Sequence, residues 1–453
     1  MSTRHNKVLT PTQRIGEFAH SLKLQDVPGE VITKLKTTLL HDIGMALAGH
    51  SISGVALNLA KKVGASTDPN APRLLVDGSR VHADYAVLAN TAMMHARTQD
   101  DTHLTAQTHL GSTTLSPLLA VAEERDASGA DFLVAMLAAY ESSAIAEGAA
   151  DGVTARGFRA STVFGPLCAA VGVSKLLGLD ADQIANAIGL AASFGGGTGQ
   201  TWISGTEEWQ YQLGNTGRNG LLAARLAADG VRGAPDALEG AAGFYTAFSG
   251  VTDPAGARLA TLGTRWETLE VTYKPFPVCV INQLPATLAS TMVRMLGVKP
   301  EEIDEVILRL PPSHANYPGT QSYAPFSGVG AALMSAPHCL ALALRDGTVT
   351  RASLETFNEP GITALAVKIK VVADDALLPG QCHITVRQGG SMMTSDQIPL
   401  PRSFGWDSIE TLSRLHDMAA ELPLDGARID ALAELIFDLE NRSVAELVTA
   451  TLA

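Results

Sequence analysis

The chain has 453 residues, 46% of them hydrophobic and 17% charged, which excludes a disordered chain and is long enough for two or three domains with a large core. Its formal net charge is -13 and it carries no basic run, so neither nucleic acid nor an anionic membrane surface is an expected partner. The four cysteines, Cys168, Cys279, Cys339 and Cys382, form no Cys-x-x-Cys pair and read as reduced thiols.

No apolar run opens the chain and none reaches the ~18 residues of a membrane span, so a cytoplasmic location is expected. Up to about residue 260 the apolar residues recur at helical spacing. Thr10-Pro11 with Gln13 has the form of a capping box, and Asp180 with Gln183 repeats it. Val31, Ile32, Leu35, Leu39, Ile43 and Leu47 mark a long helix before Gly49. Ser128 with Asp131 starts another, carrying Phe132, Leu133, Met136, Leu137 and Tyr140. Alanine-rich stretches such as 221–228 predict close helix packing.

Between the second and third of these helices lies the densest chemistry: Asp100-Asp101-Thr102-His103, then His109, with His95 and Arg97 upstream. Carboxylates, a hydroxyl and imidazoles this close suit proton transfer. The competing reading is a polar loop between two apolar helices, with Asp100 or Asp101 as a helix cap. Arg159 precedes an apolar helix, where its charge opposes the helix dipole, so a carboxylate partner or ligand is expected. The glycines of 195–199 follow a helix and lack a Gly-Lys-Ser/Thr ending, so they read as a loop beside a cleft rather than a phosphate loop.

From Trp266 the period changes to two. Leu269, Val271 and Tyr273 alternate, then Val306, Leu308 and Leu310, then Leu365, Val367, Ile369 and Val371, then Ile384 and Val386. Helical segments at about 285–296 and 331–344 separate these strands. Lys274, stiffened by Pro275 and Pro277, suits anion binding. His338 lies in an apolar helix, either as a satisfied core histidine or as an acid/base. The stretch 399–404 reads as a linker, and helical spacing resumes to the end. The fold expected is a discontinuous helical domain, residues 1–265 and 401–453, with an α/β domain of 266–400 inserted. Clefts between such domains favour ligands. No metal-ligand spacing is present, so no metal is expected.

These segments resemble the MmgE/PrpD family, which includes 2-methylcitrate dehydratase, cis-aconitate decarboxylase and iminodisuccinate epimerase. The resemblance rests on Asp100-Asp101-Thr102-His103 with His109, Ala139-Tyr140-Glu141, and Gly157-Phe158 before Phe164-Gly165-Pro166. It continues through 175–179, Gly214-Asn215-x-x-Arg218-x-Gly220 and Lys274-Pro275-Phe276-Pro277-x-Cys279. It implies a mainly α protein with a smaller α/β lid, a homodimer, and no cofactor. It also implies that Thr102, His109 and Lys274 line the pocket. At other pocket positions the chain departs from the pattern: Thr98 replaces an aspartate, Arg159 a histidine and Trp209 a lysine. Asn282-Gln283 replaces a histidine, and His338 lies about where the decarboxylase has a tyrosine.

The function expected is a cofactor-independent lyase, most of all a hydratase/dehydratase, acting on a small di- or tricarboxylate. His109, His103, Asp101, Thr102 and His338 are its catalytic candidates. Lys274, Arg159, Thr98, Trp209 and Gln283 are its substrate-binding candidates. The alternatives are an epimerase, using His103 or His109 with His338 on opposite faces of one carbon, and an inactive binding homologue.

Overall fold

In the computed structural model, residues 9–401 and 404–453 are described, so the expected linker lies partly outside the described residues. Helices dominate. The long ones of the first half are α1 (Gly29–Gly49), α2 (Ala83–His95), α3 (Leu110–Glu124), α4 (Gly129–Glu141), α5 (Ala160–Leu176) and α6 (Trp209–Ala228). Local sequence explains several starts. Thr10 and Asp180 close capping boxes with Gln13 and Gln183, and Ser128 caps α4 through the Asp131 amide. α5 packs along both α4 and α6. Small residues allow this approach: a Cβ at Gly220 would collide with Ala169, and one at Gly172 with Ala139.

The second half is built on α7 (Val280–Leu296) and α8 (Ala336–Asp346) against one four-stranded sheet. Its strands are β3 (Ile303–Leu310), β4 (Ile369–Ala373), β5 (His383–Gln388) and β6 (Ser391–Thr394), in the order β4-β3-β5-β6. β3 runs parallel to β4 and antiparallel to β5, with Val306 opposite both Ile369 and Val386. Val306, Leu308, Ile369, Ile384 and Val386 face a core shared with α7 and α8. The alternation read from Leu365 joins two elements. Leu365 lies in the last turn of the helix Pro360–Ala366, Val367 is exposed, and pairing begins at Ile369.

The alternation at Leu269–Tyr273 also resolves differently. Only β2 (Val271–Thr272) forms, and it pairs with β1 (Thr102–His103) of the helical unit. Trp266, Val271 and Tyr273 belong to the helical core, and from Val278 on the chain enters the second core, which also takes in Trp202 and Trp209. The closing helices α9 (Ser408–Asp417), α10 (Gly426–Phe437) and α11 (Val444–Ala450) return to α1 and α3. We therefore propose a discontinuous helical domain around an insert, with the first boundary near residue 275 rather than 266. Among the described residues no single helix is long and apolar enough to cross a membrane, and the one pair that reaches that length, Gly29–Ile52 with Gly54–Val63, is bent by 86°.

Candidate active site

The β1–β2 pairing makes the site. Thr102 pairs with Thr272, two residues before Lys274, so the acidic-imidazole segment and the lysine meet at one point. Thr98 adopts φ +54 in the loop leaving α2, and its carbonyl accepts a hydrogen bond from Lys274 Nζ. A short turn follows β1, with the His103 amide donating to the Thr108 carbonyl at 2.9 Å. His109 then stands at the start of α3, its amide donating to Ser161 Oγ at 3.1 Å. Arg159, at the start of α5, closes the ring. A cavity of about 550 Å³ opens here, lined by His95, Thr98, Thr102, His109, Arg159 and Lys274, with an opposite wall from the second unit.

Hydrogen bonding fixes the tautomers of two imidazoles. His109 Nδ1 lies 2.8 Å from the Asp101 carbonyl, which can only accept, so Nδ1 carries the proton and Nε2 is left as the free base. Arg159 donates Nη2–H to His95 Nε2 at 2.9 Å, so His95 donates Nδ1–H to Asp100 Oδ2 at 2.8 Å. Ser112 Oγ donates to the same Asp100 oxygen at 2.5 Å. Burial pushes the His109 pKa well below the usual imidazole value, and Lys274, His95 and Arg159 add to this against the opposing charge of Asp100. His95 is lowered in the same way, burial first. Burial opposes ionisation of Asp100, but the charge that His109 and His95 carry when protonated, the hydrogen bond from His95 and the charge of Lys274 outweigh it, so its pKa lies below the usual carboxylate value and the carboxylate is ionised. The resting site is thus an ionised Asp100, two neutral imidazoles and two cations.

Arg159 spends three of its five N–H donors, on His95 Nε2, the Trp209 carbonyl (3.0 Å) and Gln212 Oε1 (2.9 Å), and its guanidinium lies over the Trp202 ring. Burial lowers its pKa to about 10, which leaves it charged at neutral pH. Thr98 lines the cavity, and its hydroxyl is buried with no partner among the described residues.

Of the residues singled out from the sequence, Thr98, Thr102, His109, Arg159, Lys274 and Gln283 line this cavity. Gln283, however, is spent: its Nε2 donates to the Phe276 and Val278 carbonyls and its Oε1 accepts from the Phe276 amide. Asp101 lies beneath the site. Its carboxylate accepts from the Gly111 amide and Tyr140 OH, both at 2.8 Å, and only its carbonyl meets His109. Burial raises the pKa of both Asp101 and its neighbour Asp42.

His103 turns away to Glu267 (2.9 Å), which also pairs with Arg258. Trp209 is fully buried behind the site, its ring edge-on to His95 at 5.4 Å. His338 is outside the cavity lining, against Phe326 at 5.2 Å. Sequence reasoning missed the roles of His95, Asp100 and Ser112. The signal for His95 was its place just upstream of the acidic segment. Asp100 is no helix cap but the hub of this network. His314 and Tyr317 of the second unit also line the cavity, and nothing in their local sequence marks them.

The ligand atoms of His95, Asp100 and His109 lie within 4.8 Å of one another. They are poorly suited to a divalent ion. Both nitrogens of His95 are engaged, His109 Nδ1 is held by a carbonyl, and Lys274 and Arg159 would repel it. The arrangement suits an anion, with one free imidazole nitrogen facing it.

The family models for the MmgE/PrpD N-terminal and C-terminal domains match residues 13–257 and 276–400. A cis-aconitate decarboxylase-like protein of Aspergillus oryzae is 30% identical over 278 residues, 58% of this chain and 57% of that protein, so the match spans little more than half of that relative. A cis-aconitate decarboxylase of Aspergillus terreus is 24% identical across 95% of this chain and 93% of its own length. One from Homo sapiens is 25% identical over 66% of this chain and 64% of its own length.

Proposed function

We propose a function that starts from a plain finding: the chain belongs to the MmgE/PrpD family. It is an enzyme of that family's lyase type. Within the type, the reading is a hydratase/dehydratase that needs no cofactor and acts on a small di- or tricarboxylate. The observation that carries it is His109, neutral, with Nδ1–H held by the Asp101 carbonyl and Nε2 free beside two buried cations.

In this reading Lys274 and the spare donors of Arg159 take substrate carboxylates, with Thr98 beside them in the cavity wall. His109 Nε2 removes the proton from the carbon next to a carboxylate. Negative charge builds on that carboxylate as the C–H bond breaks, and the fixed cations lower the barrier. The electron pair forms the alkene as the C–O bond breaks. The imidazolium returns its proton to the departing hydroxide, so water leaves and His109 is neutral again. Asp100 stabilises the imidazolium in between.

The names of the relatives support a polycarboxylate substrate, since cis-aconitate is one. Decarboxylation would need a proton delivered to carbon, for which a resting neutral imidazole is poorly prepared. Epimerisation would need a second base across the carbon, and His103 and His338 lie outside the cavity. The remaining lining imidazole, His314, has Asp151 rather than the Lys274–Asp100 cluster as its charged neighbour. Incubation with hydroxylated di- and tricarboxylates, followed by proton NMR, tests the reading. An alkene signal that disappears in His109→Ala supports it, and exchange at one carbon without an alkene overturns it.

A further inference from the structure

The cavity has two unlike walls. Its cationic groups are Arg159 of the helical unit and Lys274, and the second unit adds Ser313, His314 and Tyr317 at one part of its wall. Facing the cations are Val280, Ile281, Leu284 and Pro285 from the first turns of α7, with Leu333 and Met334 beside them. Gln283 is the polar side chain set among the α7 residues, and both ends of its amide are bonded to backbone. The α7 stretch of this wall, with Leu333 and Met334, therefore presents mainly hydrocarbon. A substrate made only of carboxylates would face it with charge and gain nothing from it, because a buried charge needs a partner. The cavity, at about 550 Å³, also falls within the ~300–1,000 Å³ that usually holds ligands of drug size.

We propose that the substrate is a carboxylic acid carrying an alkyl or alkenyl arm, its carboxylates at Lys274 and Arg159 and its arm on the Val280–Leu284–Leu333–Met334 wall. This rests on the carboxylate reading above. The arm selects the substrate and helps hold the reacting carbon beside His109. Each methylene buried there strengthens binding by about fourfold, so four methylenes give on the order of 10²-fold.

The test is calorimetric titration of the full chain with unreactive saturated acids: succinate, then 2-propyl-, 2-butyl- and 2-hexylsuccinate. Affinity should climb along the series by about threefold to fivefold per methylene before levelling. Leu284→Gln, at a partly buried position, should flatten the climb and leave succinate binding unchanged. Lys274→Ala should weaken every member alike and keep the slope. A flat or falling series with succinate still bound overturns the arm and leaves the carboxylate reading standing. No binding by any member overturns the carboxylate reading as well. The wild-type series decides the matter even if Leu284→Gln fails to fold.

Discussion

Replacing Asp100 by asparagine isolates one charge. Both hydrogen bonds to this carboxylate, from His95 and Ser112, fall on Oδ2, and Oδ1 accepts none among the described residues. An asparagine can set its carbonyl oxygen where Oδ2 stands and keep both bonds, so Asp100→Asn removes the charge and little else. That charge lies 3.6 Å from His109 Nδ1. At an effective dielectric of about 20 the attraction to an imidazolium at that distance is about 4–5 kcal/mol, an upper bound. Turnover should fall by roughly 10²–10³-fold, because the imidazolium forms only during reaction. KM should not rise, since Lys274 and Arg159 lose their counter-charge and still attract an anion. The new amide N–H₂ has no acceptor, which costs about 1–3 kcal/mol and should lower the urea midpoint. Steady-state kinetics and a denaturation curve suffice to check this. A kcat within about fivefold of wild type, or a raised KM with kcat unchanged, would refute the reasoning.

Lys274→Ala should raise KM and lower kcat together, since the lysine meets the substrate before and during charge build-up. Arginine at that position should restore binding only partly, because Nζ also anchors the Thr98 carbonyl. Burial lowers the pKa of His41 and of His338 to about 4 from an ordinary 6.5, so the unfolded chain takes up protons first as the pH falls. Their neutral burial contributes stability above pH 6.5 that is lost on descending towards pH 4. His338→Leu, which removes two ring nitrogens with no partner among the described residues, should therefore raise the melting temperature at pH 5 and leave turnover unchanged. Turnover falling tenfold in that variant would return His338 to the mechanism. A chelator such as EDTA should leave activity intact, and loss of activity reversed by a divalent ion would contradict the reading of the His95–Asp100–His109 cluster.

The legible parts of the fold were those written locally. Capping boxes at Thr10 and Asp180 mark helix starts because both partners lie within one turn. The alternation at Val306–Leu310 marks a strand because one face of it is buried. The run from Leu365 misled because a helix end and a strand start happened to continue one alternation. The site was legible as a place and not as a set of roles. Density of titratable groups singled out 100–109, and the flanking prolines together with family resemblance singled out Lys274. Which imidazole is free depends on partners distant in sequence: Glu267 takes His103, Phe326 borders His338, and Arg159 takes His95. Those contacts follow from packing, which residue spacing does not encode.

The central claim is that His109 Nε2 moves the proton at carbon. Proton NMR in deuterated water reads this directly, by following loss of the C–H signal next to the carboxylate in wild type and His109→Gln. Wild type should lose that proton as the alkene appears, with an acid limb below the ordinary imidazole range, because burial lowers the His109 pKa. In His109→Gln both processes should slow together by at least about 10²-fold while substrate still binds. Proton loss at the wild-type rate in His109→Gln would contradict the claim and pass the role to another group in the cavity.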